Sequence, residues 1–393
     1  MKIVLLHNEY GAASGEERVV HGLRRLLEQR NHHVIPFIRS SAEIRGKRKG
    51  QVQAFFSGIY SWSSKRAIRS LLGRRRPDLV HVHNVFPLIS PSVLGECRRC
   101  GVPVVMTVHN YRLVCPSGLL MTDGQICEKC AAGREYWCVL RNCQRSLFRS
   151  SGYALRNYVA RKSRMFLDNV TMYAPVSNFQ RQRLIAAGFP PGRIAVIPNM
   201  AQARTRQDGN PLGSYVGYVG RVSPEKGVPL LMAAARLHGD IPFKAAGRYD
   251  RMPDLPAEAP ANFHFLGHLG AARLQRFYSH SRIVALCSLC HETFGLCVVE
   301  GALQGKPAVC PRTGGLPEVV DDGVTGLLFE PGSVADLAAK VRYLWDRPGQ
   351  CRKMGEAARR KALREYSPQR YYERLMKLYA TAMSLGPGGT PRC

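Results

Sequence analysis

The sequence predicts an α/β protein with two domains, each built around a parallel β-sheet. The first observation is length, because 393 residues exceed the usual size of one compact domain. The second is an alternation of short apolar runs with longer amphipathic segments, which indicates βαβ units. The third is that this alternation starts twice, at Ile3–Leu6 and again after a basic helical region near Tyr153–Leu167.

The first series of apolar runs predicts an N-terminal domain, residues 1–175. Its first strand, Ile3–Leu6, precedes a loop at Gly11–Glu17 and a helix at Val19–Leu27, where apolar residues recur at helical spacing. Further strands are expected at Val34–Phe37, Leu79–Val82 and Val104–Val108.

The second series predicts a C-terminal domain, residues 176–365, with the boundary near residue 175. Its apolar runs are Met172–Val176, Ile194–Ile197, Tyr215–Val219, Phe243–Ala246, Phe263–Leu266, Ile283–Leu286, Pro307–Cys310 and Gly326–Phe329. Residues 366–393 are expected to form a final amphipathic helix and a disordered tail rich in glycine and proline.

The apolar run at Met1–Leu6 stops too early for a signal peptide. No segment approaches the roughly 18 uninterrupted apolar residues that a membrane-spanning helix needs. We therefore expect a cytoplasmic protein, with any association with the inner face of the membrane being peripheral.

The chain is strongly basic, with 57 Lys and Arg against 28 Asp and Glu and a formal charge of +29. Such a surface attracts phosphates, nucleic acid or anionic lipid, and charge alone does not choose among them. A basic nucleic-acid-binding protein is one alternative, but the sequence has no recognition-helix motif, no aromatic RNA-binding signature and no basic tail. We therefore expect no nucleic-acid partner.

Two carboxylates mark a candidate site in the C-terminal half. Glu292 and Glu300 are separated by seven residues after an apolar strand, and a helix that begins near Gly295 would place both beside one cleft. Ligands of open α/β sheets bind beyond the carboxyl ends of the strands, where helix N-termini offer free N–H groups to phosphate. The Gly314-Gly315 pair repeats this arrangement after the next strand.

Two cations stand after an earlier strand of the same series. Arg221 and Lys226 lie five residues apart in a turn that starts at Gly220 and ends at Gly227. A diphosphate that is bound without metal must be neutralised by such side chains, and arginine can bind it with two hydrogen bonds. The pair is therefore a candidate phosphate clamp.

Taken together, these motifs resemble the signature of the family-four retaining glycosyltransferases, also described as glycosyl transferases group 1. The order of the motifs matches as well, and the resemblance extends over about residues 1–380. The segments that carry it are Gly220-Arg221-x4-Lys226-Gly227, Glu292-x7-Glu300, Thr313-Gly314-Gly315-x-Pro317-Glu318, Pro77–Asn84 and Val108–Tyr111.

The resemblance implies the GT-B architecture, in which two Rossmann-like domains face each other across a cleft. A nucleotide-sugar donor, here a UDP- or GDP-sugar, binds the C-terminal domain, and the acceptor binds mainly the N-terminal one. Transfer retains the anomeric configuration through departure of the diphosphate on the face that the acceptor hydroxyl attacks. A diphosphate oxygen takes the acceptor's proton, so no cofactor or divalent metal is required.

The resemblance also implies roles for individual residues of the C-terminal half. Arg221 and Lys226 would hold the diphosphate, Glu300 would bind the ribose hydroxyls, and Glu292 would orient the hydroxyls of the donor sugar. The catalytic contribution would be electrostatic stabilisation of the leaving diphosphate, which falls to the two cations Arg221 and Lys226.

Five further positions follow from the same resemblance. The backbone amides of Gly295 and Leu296 would meet phosphate, and Asn199 would line the entrance to the site. His109 matches a histidine that contacts the donor sugar, although a histidine at a strand end is also often only structural. Of the paired glycines that the family carries after its first strand, only Gly15 is present, which weakens any role for that loop's backbone.

A cysteine-rich insertion, residues 112–145, follows the His109 motif. Without a secretion signal we expect its thiols to be reduced, and Cys115, Cys127, Cys130 and Cys143 are the candidate ligands of a structural zinc. Reduced thiols without a metal are the alternative, because the spacing of these cysteines is irregular.

His81 and His83 alternate on one predicted strand and therefore share a face. A metal pair and two hydrogen-bonded structural histidines both fit this pattern, and the sequence favours the structural histidines.

A basic and aromatic segment of the N-terminal half favours contact with an anionic membrane surface. Phe55, Phe56, Ile59, Tyr60 and Trp62 stand among the basic runs 46–50, 65–66 and 74–76. A merely solvated basic face is the alternative. Membrane contact would bring the enzyme to lipid-linked acceptors and so to cell-envelope or exopolysaccharide biosynthesis.

Two further interpretations of the chain remain open, one as an enzyme and one as a binding protein. Another GT-B enzyme, of the phosphorylase or sucrose type, would use phosphate or a soluble sugar as its partner. A degenerate transferase kept as a binding subunit is the second, and the complete set of clamp and glutamate residues argues against it.

Overall fold

A computed structural model describes residues 1–11, 14–44, 46, 50–201 and 212–386. The chain divides into two compact units. Unit 1 comprises Met1–Thr122, Cys127–Pro198 and Tyr372–Cys393, and unit 2 comprises Asp123–Ile126 and Asn199–Tyr371. Each unit contains one large sheet in which every described strand pairing is parallel, so the predicted α/β class is confirmed.

The sheet of unit 1 has five strands in the order β2-β1-β3-β4-β7. The strands of the N-terminal region are β1 (Lys2–Glu9), β2 (His33–Ser40), β3 (Leu79–Asn84), β4 (Val104–Val108), the short β5 (Met121–Thr122) and β6 (Gln125–Ile126), and β7 (Met172–Pro175). The helices are α1 (Gly15–Gln29), α2 (Gly50–Ile59), α3 (Trp62–Arg75), α4 (Ser92–Arg99), α5 (Trp137–Leu140), α6 (Leu147–Lys162) and α7 (Asn178–Ala186).

The first strand and helix show why this sequence forms a central parallel sheet. In β1 the side chains from Ile3 to Leu6 are buried on both faces of the sheet, and β1 pairs along its two edges with β2 and β3, so it is an interior strand. Helix α1 starts at Gly15 because Ser14 accepts a hydrogen bond from the Glu17 backbone while the Glu17 carboxylate accepts one from Ser14. Glu16 and Glu17 therefore lie in the first helical turn and not in the predicted loop.

The edge of this sheet differs from the predicted organisation. Strand β7 pairs with β4, with Val105 opposite Met172, whereas the sequence grouped this run with the second series. The following segment at Ile194–Ile197 also stays with unit 1, since the Ala195 amide donates to the Tyr173 carbonyl oxygen. The apolar runs of a sequence do not show which sheet each strand joins. The boundary was therefore expected near residue 175, whereas this part of unit 1 ends at Pro198.

The sheet of unit 2 has six strands in the order β10-β9-β8-β11-β12-β13. These strands are β8 (Tyr215–Val219), β9 (Phe243–Ala246), β10 (Phe263–Gly267), β11 (Ser281–Ala285), β12 (Ala308–Pro311) and β13 (Gly326–Phe329). The helices are α8 (Val228–Arg236), α9 (Ala271–His280), α10 (Leu296–Leu303), α11 (Leu316–Val319), α12 (Val334–Trp345), α13 (Pro348–Glu365) and α14 (Pro368–Leu385).

The last helix, α14, begins within unit 2, and its residues from Tyr372 onward belong to unit 1. The tail predicted to be disordered, residues 387–393, lies outside the described residues. No helix among the described residues combines the length and the apolar character needed to cross a bilayer.

Candidate functional site

Three neighbouring strands of unit 2 bring the predicted donor motifs to one edge of its sheet. Strands β8, β11 and β12 are adjacent in the sheet, and all run parallel. Arg221 and Lys226 follow β8, Glu292 follows β11, and Gly314 follows β12. Because the carboxyl ends of parallel strands meet at one edge, motifs about 20 to 70 residues apart in sequence become neighbours in space.

The turn after β8 is held in one conformation. The Tyr218 hydroxyl donates to the Arg221 carbonyl oxygen at 2.7 Å. Gly227 closes the turn with a positive φ of 63°, and a Cβ there would lie 2.1 Å from the Cys287 carbonyl oxygen. A side chain at this position would therefore push the β8 turn away from the loop after β11.

The two cations of this turn have different environments. The Arg221 side chain is 51% exposed, and its guanidinium lies 3.5 Å from the buried Glu225 carboxylate. Lys226 is 23% exposed and donates a 2.5 Å hydrogen bond to Oε1 of Glu292. The Arg221 guanidinium is thus open to a ligand, while the Lys226 ammonium is already engaged by a carboxylate.

Glu292 is the centre of a small hydrogen-bonded group. The same Oε1 atom that binds Lys226 accepts a hydrogen bond from the Ser288 hydroxyl, four residues earlier in the loop. Ser288 was not predicted as a site residue, and its position in the loop just before Glu292 was the only available signal. Both contacts use Oε1, so neither occupies the other carboxylate oxygen, Oε2.

Charge pairing outweighs burial at these two residues. Burial alone would lower the pKa of Lys226, but the adjacent Glu292 carboxylate raises that pKa above its ordinary value. Burial alone would raise the pKa of Glu292, but the Lys226 ammonium and the Ser288 hydroxyl hold it below its ordinary value. Both groups are therefore charged around neutral pH.

Glycines allow the loops after β11 and β12 to approach each other. Gly314 has a positive φ of 61°, and a Cβ there would lie 2.2 Å from the Glu292 carbonyl oxygen. The Gly315 amide donates to that same oxygen at 2.7 Å. Gly295 precedes α10 with a φ of 93°, and a Cβ there would lie 2.6 Å from the Leu316 side chain. Gly295 and Gly314, two of the glycines singled out from the sequence, therefore have conformations and neighbours that exclude a side chain.

Helix α10 begins at Leu296, directly after Gly295, in agreement with the predicted helix start. Glu300 lies on this helix, and one of its carboxylate oxygens accepts a 2.7 Å hydrogen bond from the Tyr278 hydroxyl. Tyr278 was not predicted, since its position in α9 carries no motif. Asn199 is buried, and its side-chain oxygen has no hydrogen-bond partner among the described residues.

A second polar cluster lies in unit 1, at the carboxyl ends of β1, β3 and β4. The His83 and His109 rings stack at 5.1 Å between centroids, and Nδ1 of His83 is 2.7 Å from Nε2 of His109. Both residues line a cavity together with Asn84, Asn110 and Arg112. Burial lowers the pKa of His109 to about 3 and holds that of His83 well below its ordinary value. These imidazoles are therefore neutral around pH 7.

His7, Glu16 and Arg112 belong to the same cluster and were missed by the sequence interpretation. His7 is 1% exposed, and neither of its ring nitrogens has a hydrogen-bond partner among the described residues. Its Nδ1 lies 3.9 Å from a carboxylate oxygen of Glu16. Arg112 donates to the Tyr10 hydroxyl at 3.2 Å, and that hydroxyl donates to Glu16 at 2.8 Å. None of these residues stands in a motif.

Gly15 and His81 have structural surroundings. Gly15 is exposed in the first turn of α1, and a Cβ added there would meet no atom of another part of the chain within 4 Å. His81 is fully buried between the Tyr379 hydroxyl, at 2.6 Å, and the Thr107 hydroxyl, at 2.8 Å. Both ring nitrogens are thereby satisfied, which agrees with a structural histidine and not with a metal pair.

The structure does not support the predicted structural zinc. Cys115, Cys127, Cys130 and Cys143 form no disulfide bonds, and within the described residues no group of three or more His, Cys, Asp or Glu side chains is arranged to hold a metal ion. Cys130 is packed with Cys138 and Ala154 in a small apolar cluster. Close spacing in sequence suggested a ligand set, but several of these thiols instead serve as small apolar side chains.

Comparisons with known proteins agree with the motifs. The sequence model of the family described as Glycosyl transferases group 1 matches residues 204–361, and that of Glycosyltransferase Family 4 matches residues 13–202. A glycogen synthase of Mycobacterium tuberculosis is 27% identical over 322 residues, which cover 78% of this chain and 69% of that protein. The sulfoquinovosyl transferase SQD2 of Arabidopsis thaliana is 33% identical over 340 residues, covering 84% of this chain and 61% of that protein.

A solved structure, that of Anabaena Alr3699/HepE in complex with UDP-glucose, is similar in fold with a TM-score of 0.67. The similarity covers 97% of this chain and 100% of that one, at 17% sequence identity. The two family matches follow one another along nearly the whole chain, the first covering every strand of the unit 1 sheet except β1 and the second covering the sheet of unit 2. The chain is therefore an α/β protein of the GT-B fold class and belongs to glycosyltransferase family 4, the group 1 glycosyl transferases.

Proposed function

We propose that this protein is a retaining hexosyltransferase that moves a sugar from a nucleotide-sugar donor to a hydroxyl group of a glycan or lipid-linked acceptor. The observation that carries the proposal is the charged group at one sheet edge of unit 2. An exposed Arg221, a Lys226–Glu292 ion pair and two glycine loops lie together there. This combination suits a ligand with a diphosphate at one end and hydroxyl groups at the other.

The diphosphate is assigned to Arg221 and Lys226. The Arg221 guanidinium has free surface and can donate two parallel hydrogen bonds to phosphate oxygens. The Lys226 ammonium has three donors, of which the bond to Glu292 uses one. As the bond to the sugar breaks, negative charge grows on the diphosphate, and these fixed cations stabilise it more than the ground state.

The hydroxyl groups are assigned to the two carboxylates. Glu292 remains ionised because of Lys226, so it accepts hydrogen bonds from hydroxyls of the donor sugar. Glu300 would accept from the ribose hydroxyls, and the Tyr278 hydroxyl fixes its orientation in advance. The amides of Gly295 and Leu296 at the start of α10 would donate to phosphate. Asn199 would contact the donor at the entrance.

The unit 1 cluster is assigned to the sugar and its acceptor. Neutral His109 would hydrogen-bond to the donor sugar without adding a positive charge that competes with the clamp. The acceptor oxygen forms the new bond to the anomeric carbon while the bond to the diphosphate breaks on the same face. The proton of the acceptor hydroxyl passes to a diphosphate oxygen. Arg221 and Lys226 supply the charge that a metal ion would otherwise bring, so no cofactor is required for catalysis.

The donor is proposed to be a UDP- or GDP-sugar, and the pathway to be the assembly of a cell-envelope glycan or an exopolysaccharide. The complex of the Anabaena neighbour with UDP-glucose supports a uridine nucleotide in this fold. A lipid-linked acceptor would place the enzyme at the inner face of the cytoplasmic membrane. An anionic bilayer is accordingly the proposed membrane partner.

The direct test is thermal stabilisation of the purified protein by UDP-, GDP-, ADP- and CMP-sugars, with the free sugars as controls. A ligand that binds only the native state must raise the melting temperature, so one nucleotide class is expected to do so selectively. Arg221→Ala is expected to lose the shift. NMR of the product should then show the anomeric configuration of the donor. A panel without any shift at saturating concentrations contradicts the assignment.

A further inference from the structure

Unit 1 carries a surface that combines exposed apolar and basic side chains on α2, α5 and α6. The large apolar side chains on it are unusually exposed for a folded protein: Phe56 64%, Leu140 69%, Leu147 64%, Phe148 49%, Leu155 41% and Tyr158 46%. Single exposed leucines are ordinary, but several on adjacent helices mark an interaction site. We call these six residues, with the exposed Arg145 and Lys162, the basic–apolar face.

The residues of α6 in this face form one stripe. Leu147, Leu155, Tyr158 and Lys162 are spaced by eight, three and four residues. At 100° per residue they fall within about 80° of the helix circumference. The opposite side of α6 carries the buried Arg156 and Ala160. The helix therefore buries one side in unit 1 and presents an apolar side to the outside.

Ring contacts join this stripe to α2. Phe55 stacks on Phe148 with 5.2 Å between ring centroids, and it lies 5.3 Å from the ring of Phe56. The Phe55 ring fits over Gly152 of α6 so closely that a Cβ there would lie 2.6 Å away. Phe56 and Phe148 are consequently held at one surface by the partly buried ring between them.

Helix α5 is joined to α6 on the other side. Cys138 of α5 and Ala154 of α6 are buried in one apolar cluster. The Asn142 side-chain oxygen, just after α5, accepts a hydrogen bond from the Ser150 hydroxyl of α6 at 3.1 Å. Leu140 at the end of α5 therefore extends the face of α6 and is not an isolated exposed side chain.

The charges around this face are almost all positive. Residues 129–164 contain nine Lys and Arg side chains and a single acidic one, Glu135. Glu135 is buried and is bound by Arg161 at 2.6 Å, so it adds no free negative charge. Seven of the nine basic residues are exposed: Lys129, Arg134, Arg145, Arg149, Arg161, Lys162 and Arg164. Arg164 is paired with Asp168, which leaves the remaining cations to dominate the surface.

We infer that the basic–apolar face docks on a bilayer that contains anionic lipid, an inference that rests on the proposed transfer to a lipid-linked acceptor. The apolar stripe enters the boundary between headgroups and acyl chains, and Arg145 and Lys162 bind lipid phosphates. Nucleic acid would satisfy the cations but would leave the leucines in water. A neutral protein surface would satisfy the leucines but not the cations.

This face differs from the membrane surface that the sequence predicted around residues 46–76. Phe55 lies between α2 and α6 and is not the membrane-facing residue. Of the basic run 46–50, residues 47–49 lie outside the described residues. Trp62 is 73% exposed, but its ring packs on Tyr60 and lies below the Lys65 ammonium. We therefore place the centre of the proposed membrane contact at α5 and α6 and not at residues 46–76.

The test is co-sedimentation of the full-length protein with vesicles of phosphatidylcholine and about 30% phosphatidylglycerol, compared with pure phosphatidylcholine, at about 50 mM salt. The face variant carries Leu147→Gln and Leu155→Gln, which keep helix propensity and remove apolar surface. A charge variant carries Arg145→Glu and Lys162→Glu. The control carries Leu237→Gln and Val324→Gln, which are 61% and 57% exposed in unit 2.

The wild type and the control are expected to bind the anionic vesicles equally. The face variant and the charge variant should each bind the anionic vesicles at least about tenfold more weakly than the wild type. Binding to pure phosphatidylcholine should be weak for all four proteins. Absence of wild-type binding to anionic vesicles overturns the inference and favours an acidic protein as partner. The inference is also overturned if the face variant and the charge variant both bind within about twofold of the wild type.

The same samples separate this inference from the proposed function. Nucleotide-sugar stabilisation is measured on each variant without vesicles, since the substituted residues are not in the donor site. A donor shift without vesicle binding rejects only the docking face. Vesicle binding that depends on the face, without a shift from any nucleotide sugar, supports the docking face and rejects the proposed donor site.

Discussion

Lys226 and Glu292 are joined by a 2.5 Å hydrogen bond that links the turn after β8 to the loop after β11. The two residues are 66 positions apart in the chain, and both are largely shielded from water. The bond gives Lys226 a fixed position, but it also gives Glu292 a structural task in addition to its proposed contact with the sugar. Substitutions at this pair therefore report on stability and on donor binding together.

Glu292→Gln and Arg221→Ala are predicted to abolish sugar transfer by different routes. Glu292→Gln leaves a largely buried lysine without its carboxylate, so the free energy of unfolding should fall by about 1–3 kcal/mol. Arg221 is half exposed, so Arg221→Ala should change stability by less than about 0.5 kcal/mol. Urea denaturation and transfer assays on both variants check this. Wild-type transfer rates in either one contradict the assigned role.

The Lys226–Glu292 pair also predicts a pH dependence. The pKa of Glu292 is lowered in the folded state, so its stabilising contribution is present above its unfolded pKa and is lost as pH falls through the lowered value. The pKa of Lys226 is raised, so its contribution is present below its unfolded pKa and is lost as pH rises through the raised value.

The stability difference between wild type and Glu292→Gln should therefore be constant from about pH 5.5 to 9 and should shrink below about pH 4. Urea denaturation of both proteins across this range measures it. The Arg24–Glu28 pair on α1 is exposed, and Glu28→Gln serves as the control with little effect at any pH. A difference that does not shrink in acid would show that the carboxylate charge is not what stabilises this contact.

The fold was predictable because its signals are local. Apolar runs of four to eight residues such as β1 are buried on both faces, which only a central parallel strand allows. The strand at Met172–Pro175 was grouped with the second series of apolar runs because its pairing with β4 is determined by packing and not by its own sequence. The order of the apolar runs along the chain does not show which strands pair with one another.

The donor site was predictable to the extent that it consists of motifs. Gly314 could be named because its conformation excludes a side chain, and Glu292 because it belongs to a spaced pair. Ser288 and Tyr278 act through contacts that arise only after folding. The unit 1 cluster likewise forms only after folding, because it joins His7 of β1, Glu16 of the first turn of α1 and Arg112 from the loop after β4. The prediction of a structural zinc was wrong for the opposite reason. The cysteines are close in sequence, but within the described residues they do not form a metal-binding group.

His7→Phe is predicted to make the protein less sensitive to acid. Burial lowers the pKa of His7 to about 4 in the folded state, while the nearby Glu16 raises it and His109 and His21 lower it. Between about pH 6.5 and 4 the unfolded chain therefore binds a proton that the folded protein excludes. The free energy of unfolding decreases as the pH is lowered through this range. His7 contributes up to about 3 kcal/mol to that loss.

Because neither ring nitrogen of His7 has a hydrogen-bond partner among the described residues, His7→Phe should cost little at pH 7. The free energy of unfolding is to be compared at pH 7 and pH 4.5 for the wild type and the variant. His33→Phe replaces an exposed histidine and is the control, which should keep the wild-type slope. An unchanged slope for His7→Phe would mean that His7 is protonated in the folded protein.

Gly314→Ala and Gly323→Ala separate the cost of backbone strain from that of a steric clash. Both glycines have positive φ values, 61° and 76°, so either substitution should cost about 1 kcal/mol in strain. At Gly323 nothing lies within 4 Å of the added Cβ, and no further effect is expected. At Gly314 the Cβ would lie 2.2 Å from the Glu292 carbonyl oxygen, so the loop after β11 must move.

That movement displaces Glu292 from Lys226, because the carbonyl and the carboxylate belong to the same residue. Gly314→Ala is therefore expected to lose more stability than Gly323→Ala and to abolish the thermal shift produced by the nucleotide sugar. Gly323→Ala should keep the full shift despite its strain. Thermal denaturation of both variants, with and without the nucleotide sugar that stabilises the wild type, gives the comparison. Equal ligand shifts in the two variants would mean that the contact between the loops after β11 and β12 does not position Glu292.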